Sequence, residues 1–189
     1  MKKPTVFLVI AALVIVPAAY AQAPSLMSPR SPTPVFVAAA LDDPTIVAIF
    51  EAANTWDIET SQVALKKSHD KEVRRFAAMM VRDHRAVRQL GRNLAHKLHV
   101  TPTPPGKDFA LYLDHESAMK TLRSTRGKAF DKAYIDHEAS YHQAVIDAVT
   151  NQLLPATKNA ELKELETKVA PNFQAHLAAA KDIQQKLVK

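Results

Sequence analysis

The chain has 189 residues, 47% of them apolar, a formal charge of +6 and no cysteine. No disulfide can staple such a fold, so a packed core must carry its stability, and about 165 residues beyond a leader suffice for one domain. The positive excess is mild and gathers into no aromatic-studded basic patch. That gives no ground for a nucleic-acid partner and leaves only weak attraction to anionic lipid or envelope polymer.

The chain opens MKKPTVFLVIAALVIVPAAYAQA. Lys2 and Lys3 precede an apolar run from Val6 to Val16, too short to span a bilayer comfortably at ~20 residues. Ala19-Tyr20-Ala21 then offers small residues to a signal peptidase, so residues 1–21 read as a signal peptide and the protein as exported and periplasmic. An uncleaved anchor is the competing reading. Residues 22–34, QAPSLMSPRSPTP, are rich in Pro and Ser and read as a flexible tether.

From residue 35 the chain reads as one helical domain reaching 189. Glycine nearly vanishes, no alternating strand pattern appears, and Ala, Leu, Lys, Glu and Gln dominate. A first helix begins at Asp42-Asp43-Pro44, where an acid caps the end and proline suits the first turn, and runs to Lys67. After a break at Ser68-His69-Asp70, a second runs from Lys71 to His99, stopped by TPTPPG at 101–106. A connecting helix spans Lys107 to Arg126. A third main helix runs from Lys128 to Leu153, with a turn at Pro155. The last runs from Lys158 to Val188, with a kink expected at Pro171. Two hairpins flanking a connecting helix are the layout of a ferritin-like four-helix bundle with a long crossover. The connecting helix either carries the chain back along the bundle or packs as a fifth helix; the sequence leaves both open.

Each main helix interrupts its apolar stripe midway with a polar residue. Leu162, Leu165, Val169, Phe173, His176, Ala180, Ile183 and Leu187 form one stripe, with His176 its single polar member. Ile135, Glu138, His142, Val145 and Val149 form another, and Glu138 and His142 share a face four residues apart. Asp57 stands among Ile46, Phe50, Ala53, Ser61 and Ala64. Asp83 and His84 interrupt the row of Val73, Phe76, Met80, Val87, Leu90 and Leu94. Counting from the turns places Asp57 and His84 within ~3 Å along the axis and pairs Glu138 with His176. The same counting leaves His142 about 12 Å from His176.

Two arrangements fit these residues. One is a buried hydrogen-bonded network that fixes helix register, completed by Arg82 or Arg74 and by the hydroxyls of Tyr134 and Tyr141. The other is a site for one transition metal ion, Zn, Fe, Mn, Ni or Cu, held by Asp57, His84, Glu138, His142 and His176. Asp83 would then orient a histidine from behind, and Tyr134 would donate its hydroxyl to a carboxylate. No Glu-x-x-His occurs, which argues against a di-iron oxidase. His96 and His99 stand where histidines favour the negative end of a helix dipole, Met79 and Met80 read as core filler, and His115 and His137 read as solvated. No phosphate-binding loop or serine elbow is present, so the sequence points away from an enzyme.

The stretches DIETSQVALKKSHDKEVRRFAAMMVRDH, GKAFDKAYIDHEASYHQAV, NAELKEL and PNFQAHLAAA resemble the ferritin-like domain of unknown function 4142, over about residues 35–187. The resemblance implies an exported bacterial helical bundle with no established activity. By position, the family's recurrent polar residues fall on Asp57, Asp83, His84, Asp131, Tyr134, His142 and His176. Many members carry Glu in place of Asp57, and Glu138 stands where others carry Gln or Glu. Oligomeric state is not implied.

Overall fold

Asp42 accepts a hydrogen bond from the Thr45 amide at 2.9 Å and so starts α1 (Asp43–Lys67), with Pro44 in its first turn. Asp70 does the same for α2 (Lys71–Lys97) through the amides of Glu72 and Val73. Asn159 caps α6 (Ala160–Leu187) through Glu161 and Leu162. These side chains satisfy amides that a helix start leaves without partners. Between them lie α3 (Ala110–Ser124), α4 (Gly127–Ala148) and the three-residue α5 (Leu154–Ala156). The computed structural model describes residues 41–106 and 109–188, and no strand occurs among them. The expected signal peptide (1–21) and tether (22–34) lie outside the described residues.

Four of these helices form the bundle. α1 packs on α2 and α4, and α6 packs on α4 and α2. Neighbours run antiparallel: Thr60, Ser61 and Ala53 of α1 meet Glu138, Tyr134 and Tyr141 of α4, while Glu72, Asp83 and Lys97 of α2 meet Lys186, His176 and Glu161 of α6. The open question about the connecting helix is answered by its contacts. α3 lies on the outside of α1 and α4 as a fifth helix, burying Leu111, His115, Met119 and Leu122. Lys67 at the end of α1 donates to the carbonyls of Leu122 and Arg123, fastening the far end of α3. α1 and α2 approach so closely at Gly91 that a Cβ there would stand 2.7 Å from the Phe50 ring.

The element ends differ from the sequence reading where backbone polarity decides. α2 stops at Lys97, and His99 takes a left-handed backbone (φ 54°) before the proline-rich link. α4 does not turn at Pro155. It widens into a π-helical turn, Val149–Leu153, in which the Val149 carbonyl accepts from the Leu154 amide. Proline has no N–H with which to continue the ordinary ladder, and the wider turn absorbs the mismatch. The chain reverses only at residues 157–159, where the Asp43 carboxylate accepts the amides of Lys158 and Asn159 at 2.8 and 3.0 Å. α6 then runs on through Pro171 as one helix.

Candidate metal centre

The bundle core is not continuous. One apolar cluster contains Ile46, Phe50, Val87, Val145, Leu162 and Phe173; the other contains Val73, Phe76, Met80, Phe130, Ile135 and Ile183. Between them lies a polar layer of buried Asn54, Asp57, Thr60, Ser61, His84, Glu138, His142 and His176. Helical periodicity puts each on its inward face, and the antiparallel pairings bring them to one level.

The three imidazoles form a closed group. Their ring centroids are 5.5 Å apart for His84 and His142, 5.2 Å for His84 and His176, and 5.3 Å for His142 and His176. One ring nitrogen from each lies within 4.8 Å of the others. Every ring is held from behind by an oxygen. His84 Nδ1 stands 2.9 Å from Asn54 Oδ1, His142 Nδ1 2.9 Å from the Glu138 carbonyl, and His176 Nε2 3.1 Å from Asp83 Oδ2. The opposite nitrogens, His84 Nε2, His142 Nε2 and His176 Nδ1, are buried and meet no hydrogen-bonding partner. Phe173 stacks on His84 and closes the group on its apolar side.

Burial lowers all three imidazoles, and for His84 and His142 the neighbouring rings add to it, which favours the neutral form. His84 is held well below the usual imidazole range by burial and by His142 and His176. His142 is pushed down to about 3, chiefly by burial. Burial lowers His176 too, against the pull of Asp83. A neutral imidazole with its N–H committed to an oxygen presents a lone pair at the other nitrogen. Leaving three such atoms buried without partners costs about 1–3 kcal/mol each.

A second group adjoins the first. Asp57, Glu138 and His142 also offer ligand atoms within 4.8 Å of one another. Glu138 Oε1 accepts from the Thr60 hydroxyl at 3.0 Å, while Glu138 Oε2 and Asp57 Oδ1 have no partner. Burial, and then the adjacent Glu138, raises Asp57 well above the ordinary carboxylate range; burial also raises Glu138, to about 7. All five of the residues picked out as candidate ligands are therefore buried in one layer, though in two overlapping groups that share His142.

Several expectations need correction. Glu138 does not pair with His176: its neighbours are Thr60 and the Nδ1 of His142, the latter 3.7 Å from Oε2. His142 and His176 are not displaced by a dozen ångströms. The chain turns at 157–159 and not at Pro155, so the two lie about 16 and 18 residues from the true turn, nearly level. Asp57 does lie near His84, with Oδ2 3.5 Å from Nδ1, but Asn54 is the closer partner. Asp83 is half-buried, not core. Burial would raise its carboxyl, but hydrogen bonds with Arg82 and His176 outweigh that and hold it below the ordinary range. Tyr134 shares a hydrogen bond with the Ser61 hydroxyl at 2.8 Å, and its hydroxyl also acts on Glu138, helping to hold that carboxyl down against burial. His115, read as solvated, is buried beneath Trp56, its Nε2 3.0 Å from Glu59. Leu90 is exposed. Asn54 was missed; its signal was present, because it lies one turn after the stripe residue Phe50 and three before Asp57.

A family model described as Domain of unknown function (DUF4142) matches residues 30–183. Among solved structures, the fold is similar to a DUF305 fragment from Deinococcus radiodurans (12% identity, TM-score 0.67, covering 84% of this chain and 99% of that one). It is also similar to a DUF305 protein from Streptomyces coelicolor (13%, 0.63, 79% and 96%). A third similar structure is CopM in its Cu(II)-bound form (18%, 0.59, 77% and 98%). At these identities the likeness is one of fold. Curated proteins give no match. No described helix is long and apolar enough to cross a membrane.

Proposed function

The chain belongs to the DUF4142 family, and from that premise we propose that it is an exported protein that holds one divalent transition metal ion through His84, His142 and His176. The observation that carries this reading is the pattern at each ring: one nitrogen tied to an oxygen, the other buried and free. Metal-binding histidines are typically oriented in this way, and the outer partner fixes the tautomer. Three nitrogen donors with no thiolate suit Cu(II), Zn(II) or Ni(II), and among these copper binds most tightly. The copper-bound form of the similarly folded CopM supports copper as the first ion to try. Asp83, held below the ordinary carboxyl range by Arg82 and His176, places negative charge beside the site, and Asp57 and Glu138 add more once an ion displaces the protons that burial keeps on them. A bound ion of this kind supplies Lewis acidity or, for copper, one-electron redox capacity. The residues here bind and shield it, and the reading is one of holding metal, not catalysis. The basic, apolar opening of the sequence and the description of the Streptomyces coelicolor neighbour as secreted support export.

The rival reading is an envelope protein whose polar layer only fixes helix register, favoured by the Thr60–Glu138 and Ser61–Tyr134 bonds. Loading the protein with Cu(II) or Zn(II), dialysing, and measuring metal content and melting temperature separates the two. The metal reading expects about one retained ion per chain and a rise of roughly 5–10 °C, given that saturation at a hundred times Kd adds about 2.7 kcal/mol. His176→Ala should lose both. Equal and negligible retention by the wild type and this variant would establish the register reading instead.

A further inference from the structure

The carboxylate side of the polar layer has chemistry of its own. Asp57 and Glu138 come from facing helices, α1 and α4, and both are almost fully buried. Each has one oxygen engaged or facing a neighbour: Glu138 Oε1 accepts from Thr60, and Asp57 Oδ2 faces His84. Each has another, Glu138 Oε2 and Asp57 Oδ1, buried with no hydrogen-bonding partner. One carboxylate oxygen of each and one ring nitrogen of His142 fall within 4.8 Å of one another. We propose that Asp57, Glu138 and His142 form a second, oxygen-rich cation position beside the imidazole triad, selective for a hard divalent cation such as Mn2+.

Charge and donor type give the reason for two positions in place of one. The imidazole triad is neutral and all nitrogen, a set that favours the late first-row metals. Burial holds protons on Asp57 and Glu138; a dication that displaces them gains two negative charges, and oxygen donors are what a hard cation prefers. The Thr60 hydroxyl orients Glu138 just as Asn54 and Asp83 orient their histidines. His142 has a single free nitrogen, because its Nδ1 is committed to the Glu138 carbonyl. It can serve one position at a time, so the two positions compete. The carboxylate position shares His142 with the three-histidine site but does not depend on that site being used.

Titrating the protein with Mn2+, following loss of the free-ion electron paramagnetic resonance signal, tests this. The wild type should bind one Mn2+, and prior loading with Zn2+ should weaken that binding. Glu138→Gln and Asp57→Asn, both close in shape to the native side chains, should each weaken it at least about tenfold, while His176→Ala should stay within about threefold of the wild type. Circular dichroism establishes folding, and if one carboxamide variant fails to fold the other decides. The proposal is overturned if the wild type takes up no Mn2+, or if the carboxamide variants bind it as the wild type does. It is equally overturned if His176→Ala loses Mn2+ as fully as they do, since the carboxylates would then belong to the three-histidine site. Failure of Zn2+ or Cu2+ retention with Mn2+ binding intact would remove the three-histidine reading and leave this one standing.

Discussion

Asn54 donates its Nδ2 to the Phe50 carbonyl at 2.7 Å, which turns its Oδ1 toward His84 Nδ1. The backbone of α1 thereby decides which nitrogen of His84 carries the proton, and so leaves Nε2 as the lone pair. Asn54→Leu removes the acceptor and frees the ring to take either tautomer. Affinity for Zn(II), measured by competition with a chromophoric chelator, should fall roughly 10- to 100-fold. Asn54→Asp keeps an oxygen at the same place and should retain most of it. Asp83 plays the matching part for His176, but from a half-exposed position where Arg82 also holds it, its Nε 2.7 Å from Oδ1. In the sequence Asp83 and His84 both stand out as polar residues on or beside an apolar stripe. Nothing in their spacing says that one is buried and the other reaches solvent, because a single residue step turns a side chain by about 100° around the helix.

At the scale of elements, helix starts were the most legible feature, because capping is local chemistry. Asp42 and Pro44 announce α1 in the sequence, and the structure begins it there. Asp70 was read only as part of a break, yet it caps α2 with two amide hydrogen bonds. Asp70→Ala should cost about 1 kcal/mol, lowering the melting temperature by roughly 2–4 °C. Metal affinity should not change, since this cap lies at the end of the bundle, away from the polar layer. Helix ends were less legible. Pro155 looks like a turn, but the π-helical stretch before it lets the chain continue to Thr157, whose hydroxyl donates to the Leu153 carbonyl and to Glu166 at 2.8 Å each. That shift of a few residues removes most of the offset between His176 and His142 in the counting argument.

For the whole molecule, a buried polar layer makes stability depend on pH. His84, His115, His137, His142 and His176 are all held below the usual imidazole value, with burial the leading cause; His137 falls to about 4. The unfolded chain therefore binds more protons than the folded one once pH drops below about 6.5, and folding loses stability as protons are added. Glu138, raised to about 7, works the other way, as do Asp57, Asp114 and Glu166, all raised by burial. Their protons stay on the folded chain where the unfolded chain has released them, which favours folding as pH falls. At pH 5.5 five imidazoles, mostly protonated when unfolded, stand against four raised carboxyls, and the larger number is expected to prevail. Protein stripped of metal with a chelator should melt lower at pH 5.5 than at pH 7.5. A melting temperature that stays level or rises on acidification would show that the carboxyls dominate.

The sequence by itself determined that the chain is helical, where most helices start, and that Asp57, His84, Glu138, His142 and His176 face inward. Capping and the 3.6-residue period are properties of a segment and its near neighbours, so they can be read without the rest of the chain. Only the tertiary structure decided that α3 lies on α1 and α4, that the three histidines are level, and that each ring is tied at one nitrogen and free at the other. Those outcomes depend on where the chain turns after Pro155 and on which atoms of Asn54, Thr60 and Asp83 meet their partners. Such contacts arise between helices far apart in the chain, and no local pattern encodes them.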